Sequence, residues 1–137
     1  MRDQRPVGRT LRHVISTPFI WGMLFPLVVL DVTMEIYHHV CFPLYGLPLV
    51  RRKDYIRLDR YKLPYLSPME KFNCLYCEYA NGLITYAQRI AGDTEGYWCA
   101  ITHKKYAGFV APSHHAGFAK YGDRKAYERV KRRQAKG

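Results

Sequence analysis

The chain is 137 residues long, 48% hydrophobic, and carries a formal net charge of +11, with twelve tyrosines, six phenylalanines and two tryptophans. The length leaves room for one compact domain with appendages, the apolar content excludes a disordered chain, and the charge points to an anionic neighbour. The charge is unevenly placed, at +3 over residues 1–13, −2 over 14–50, +4 over 51–62, zero over 63–116 and +6 over 117–137.

These blocks suggest four regions: a basic N-terminal arm (1–13), an apolar membrane-associated segment (14–50), a Cys/His domain (51–116) and a basic C-terminal helix or tail (117–137). The arm carries Arg2, Arg5, Arg9 and Arg12 and leads into VISTPFIWGMLFPLVVL at residues 14–30. A signal peptide would share this start. No small-residue cleavage site follows, and Asp31, Glu35 and His38 come instead, so the segment reads as retained. The uninterrupted run is short for a spanning helix, Pro26 kinks it, and extending it to residue 45 brings in two acids and two histidines. Basic blocks on both flanks also conflict with a single positive-inside crossing. We therefore expect a monotopic or re-entrant helix, with Trp21 and Phe25 as anchors and Pro43, Gly46 and Pro48 turning the chain back. Asp31, Glu35 and His38 lie at i, i+4 and i+7, on one helical face. Glu35-x-x-His38 is half of a di-iron motif, but no second copy exists, so a buried polar network or a partner-binding face is expected.

In residues 51–62, tyrosines interleave with Arg51, Arg52, Lys53, Arg57 and Arg60, a composition that suits lipid headgroups, an acidic partner or, by stacking, a nucleic acid. The pattern fits a short strand or an interfacial segment. Ser67-Pro68-Met69-Glu70 reads as an N-cap, a proline at the first helical position and a capping box. A short helix follows, then a turn at Asn81-Gly82, a helix over 83–91 ended by Gly92, and a loop over 93–96. Residues 123–136 read as a basic surface helix with Ala126, Tyr127 and Val130 on one face.

The chemistry concentrates between residues 72 and 103. Cys74-x-x-Cys77 and Cys99-x-x-x-His103 stand 21 residues apart, close to the interval of structural zinc knuckles, so these four are the expected ligands, with Tyr97 and Trp98 walling the site from water. Cys41 is the alternative ligand, and four thiolates would admit iron in place of zinc. The inert alternative, three small cysteines in a core, needs no metal.

Residues 41–60 (CFPLYGLPLVRRKDYIRLDR), 73–86 (NCLYCEYANGLITY), 94–103 (TEGYWCAITH) and 118–130 (FAKYGDRKAYERV) together resemble a family of small uncharacterised bacterial membrane-associated proteins. Its pattern at the third stretch is Tyr-Trp-Cys-Pro-Ile-Lys-His, and Ala100 and Thr102 stand here where it has proline and lysine. The resemblance implies membrane association and a Cys/His site, and brings no activity. No phosphate loop, serine elbow or zinc-protease motif is present in the sequence. The expectation is thus a mainly α chain: an embedded helix, a small metal-stapled α(+β) domain and a basic C-terminal helix. Its expected role is that of a non-enzymatic, zinc-stabilised accessory subunit of a larger complex at the cytoplasmic face of a bacterial inner membrane. An iron-thiolate electron carrier and a nucleic-acid-binding knuckle are the alternatives.

Overall fold

A computed structural model describes residues 6–136, and Arg2 and Arg5 of the basic arm lie outside the described residues. The chain is mainly helical, as expected: α1 (Pro6–Gly22), α2 (Leu24–Tyr45), α3 (Pro68–Trp98) and α4 (Arg124–Ala135). Pro26 has no N–H to return to the Gly22 carbonyl, which accounts for the break between α1 and α2. Met23 keeps helical angles there (φ −66°, ψ −19°), so the interruption is one of hydrogen bonding. Gly46 then ends α2 at φ +73°, with its N–H on Pro43 and that of Leu47 on Phe42, a left-handed stop that a Cβ would strain.

Residues 47–67 run back along α2 with two 3-10 turns (Arg52–Asp54 and Arg60–Lys62) before α3 begins. The return is long because α2 and α3 lie parallel. Trp21 meets Phe72 and Tyr76 near the start of the pair, and Tyr45 stacks on Tyr97 at its end (4.6 Å, 16°). Leu27, Phe42, Leu83, Tyr86 and Ile90 form the core between them, with Val50, Tyr55 and Ile56 of the return segment packed against it.

The Ser67 to Glu70 capping box is formed as read. The turn, terminator and loop expected beyond it are not. Residues 68–98 form one helix of 31 residues, and the glycines read as breakers serve close packing. A Cβ at Gly82 would stand 2.8 Å from the Tyr55 carbonyl, and one at Gly92 would stand 2.9 Å from the His114 ring. Nor do strands form among the described residues. The 51–62 segment is irregular, and the C-terminal loop has only an isolated parallel bridge, Ile101 to Ala119. The basic helix α4 is present, capped by the Asp123 side chain on Ala126 N–H (2.9 Å).

Candidate functional site

Helix α3 decides the fate of the expected knuckle. Cys74 and Cys77 lie one turn apart near its start and Cys99 is the residue that caps its end, so 21 residues of unbroken helix separate Cys77 from Cys99, a rise of about 33 Å. The structure does not bring Cys74, Cys77, Cys99 and His103 together. Cys-x-x-Cys…Cys spacing makes a metal site only when the intervening chain folds back, and here it stays straight. Cys77 lines an open polar cleft of about 530 Å³ between the return segment and α3, shared with Arg57, Arg60 and Glu78. Cys41 is half-buried near the far end of α2, so it does not complete a thiolate set either. Of the two aromatics expected to wall the knuckle, Tyr97 stacks on Tyr45 and Trp98 is largely exposed.

The polar face of α2 is turned inward. Asp31 receives a bidentate ion pair from Arg52 of the return segment and the Tyr79 hydroxyl of α3 (2.7 Å). Two turns further on, His38 Nε2 accepts the Val50 N–H (2.9 Å), which leaves the ring proton on Nδ1 facing the Tyr86 oxygen (3.2 Å). Each of these two residues ties three segments together, which is the buried network expected of that face. Burial and the bond to Asp31 push the Tyr79 phenol up to about 12. Arg52, grouped by sequence with the headgroup-facing residues, is a structural partner of Asp31. Arg51, Lys53, Arg57 and Arg60 are exposed, although Arg51 lies 3.7 Å from Asp54 and Arg60 lies 3.4 Å from Glu78. Trp21 also packs inward, in an apolar groove of about 290 Å³ with Leu24, Leu58, Phe72 and Tyr76. Phe25 stays 77% exposed.

A second cluster was not singled out by sequence. Near the end of α3, Glu95 is clasped by two adjacent histidines of the C-terminal loop. His114 Nε2 lies 2.5 Å from one carboxylate oxygen, and His115 Nε2 lies 3.2 Å from the other. The bond from His114, reinforced by His115, holds the Glu95 carboxyl below the usual glutamate range. His103 joins them: the ligand-type atoms of Glu95, His103 and His115 lie within 4.8 Å of one another, the one such group among the described residues. Of the expected ligands, only His103 enters such a group. Glu95 read as a loop residue and His114-His115 as part of an unassigned loop, so the only sequence signal was the adjacent histidine pair. No family model, curated protein or solved structure matches the chain, so the site rests on its own geometry.

Proposed function

We propose that this chain is a membrane-surface protein, lying in the plane of one leaflet on the outer face of α1 and α2. It offers its charged opposite side to a protein partner, as a non-enzymatic accessory subunit at the cytoplasmic face of a bacterial inner membrane. One observation carries the reading: α2 is apolar on two faces and packs with one. Leu27 and Phe42 are buried against α3 and the return segment, while Phe25, Val28, Val29, Val32, Ile36 and Leu44 are exposed. Residues Gly8–Tyr45 form a 38-residue helical stretch long and apolar enough to cross a membrane, with only 6% of its most apolar window buried.

In-plane binding is favoured over crossing by what runs beside α2. The return segment and α3 follow it along its length with the exposed Arg51, Lys53, Arg57, Asp59, Arg60 and Arg89. A transverse α2 would take such groups to hydrocarbon depth, at about 2.5–3.5 kcal/mol for each charge near the centre. An α2 lying flat leaves them in water, and the net charge of +11 favours an anionic leaflet. Burial of Phe25 and Ile36 in lipid contributes about 1.5–3 kcal/mol each. The test is flotation with phosphatidylglycerol-containing vesicles. The wild-type chain is expected to float, and a Phe25→Asp, Ile36→Asp double variant with unchanged helical circular dichroism is expected to stay in the dense fraction. A wild-type chain that stays there, or a double variant that floats, overturns the reading.

A further inference from the structure

Glu95, His103 and His115 come from three separate segments: the last turn of α3, the loop beyond the Ile101 bridge, and the 3-10 turn Ser113–His115. Their convergence is supported from several sides. Gly92 leaves α3 bare where the His114 ring rests, since a Cβ there would stand 2.9 Å from the ring. Phe118 stacks on His115 (5.0 Å, 27°), and Phe109 meets His103 edge-on (5.6 Å, 78°). His115 is only 6% exposed, and its Nδ1 is buried without a hydrogen-bond partner. The nitrogen that faces Glu95, and with it a metal shared by the two residues, is Nε2, 3.2 Å from the carboxylate oxygen.

We propose that Glu95, His103 and His115 bind a divalent transition metal of the zinc class, with His114 holding the second oxygen of Glu95. Two imidazoles and one carboxylate form a borderline donor set that suits Zn2+. Tetrahedral bonds of about 2.0–2.2 Å place ligands somewhat over 3 Å apart. Three donors already within 4.8 Å therefore need only a modest closing movement, and His103, being exposed, is able to supply it. Three protein ligands leave a fourth coordination position open to water or another donor. His114 plays the orienting part that a hydrogen-bonded neighbour of a metal ligand commonly plays. The metal would tie the 99–123 loop to α3, reinforcing the contacts of His114 and His115 with Glu95. This proposal does not depend on the membrane reading.

The test is a Co2+ titration of the full-length, tag-free protein in mild detergent, followed by absorption spectroscopy and Zn2+ displacement. One equivalent of cobalt should give visible ligand-field bands without a thiolate charge-transfer band. His103→Ala, at an exposed position and checked for unchanged circular dichroism, should abolish them. A Cys74→Ser, Cys77→Ser, Cys99→Ser triple variant should keep them, and His114→Gln should weaken affinity about 10- to 100-fold. The absence of a cobalt spectrum overturns the proposal. So does a spectrum that survives His103→Ala, or a thiolate band that disappears in the cysteine variant.

Discussion

Three glycines in α3 give graded, opposing expectations for the same substitution. In a helix interior, glycine to alanine ordinarily stabilises by about 0.8–1.0 kcal/mol. At Gly82 the new methyl would stand 2.8 Å from the Tyr55 carbonyl oxygen and 3.0 Å from the Ile56 Cα, both backbone atoms of the return segment. Neither can rotate away, so the segment must lift off α3. Overpacking of this kind costs about 1–3 kcal/mol, and the net expectation is a destabilisation of up to about 2 kcal/mol. At Gly92 the obstacle is the His114 ring, 2.9 Å away, which can swing out at the expense of its bond to Glu95. At Gly96 the nearest atoms belong to the Phe118 ring at 3.5 Å, ordinary contact, so Gly96→Ala should be neutral or stabilising. Thermal unfolding followed by helical circular dichroism in one detergent should rank stability as Gly96→Ala, then Gly92→Ala, then Gly82→Ala. Each kcal/mol should move the midpoint by about 4 °C at this chain length. A Gly82→Ala protein as stable as wild type would refute the close approach of the return segment to α3.

Other expectations follow from the same contacts. Asp31→Asn should destabilise by about 1–3 kcal/mol, reduced from the fully buried case because the Arg52 side chain is 39% exposed. A cycle with Arg52→Met should recover part of the loss, and additive effects would show that the pair is not coupled. Ser67→Ala removes the N-cap of α3 and should cost about 1 kcal/mol, read from a urea midpoint at constant slope. The Glu70 carboxyl is held below the ordinary glutamate value, about 4.3, chiefly by the Ser67 N–H and then by its hydroxyl. Its folded pKa is depressed, so its contribution is present above the unfolded pKa and is lost as pH falls through the folded one. Glu70→Gln should therefore flatten the acid limb of the stability curve below about pH 4.3, and an unchanged limb would remove Glu70 from it.

What was legible in the sequence was local. The capping box is a four-residue pattern whose bonds close within one turn, and the i, i+4, i+7 face of Asp31, Glu35 and His38 follows from helical periodicity alone. The basic helix near the C-terminus was read from Ala126, Tyr127 and Val130 on one face and basic residues around the remainder. What escaped depends on contacts between distant segments. Gly82 and Gly92 look like breakers until Tyr55 and His114 are seen lying against them. The cysteine spacing suggested a fold-back that a straight α3 denies. Glu95 and His115 stand twenty residues apart with no motif between them, and only the packing of the C-terminal loop on α3 brings them together.

The parallel arrangement of α2 and α3 also sets a timetable. The bonds from Asp31 to Tyr79 and from His38 to Tyr86 each join residues 48 positions apart, whereas a hairpin of adjacent helices closes across a short turn. During synthesis α2 is complete at residue 45, yet its inner face waits for residues up to 98, roughly 3–10 s at 5–20 residues per second. Until the return segment emerges both apolar faces of the helix are bare, and part of the inner face stays so until α3 follows. The return segment emerges first and covers part of the inner face, with Val50 reaching His38 and Arg52 reaching Asp31 before α3 exists. By order of emergence, Asp31 and His38 are thus the first positions on α2 for which native partners become available.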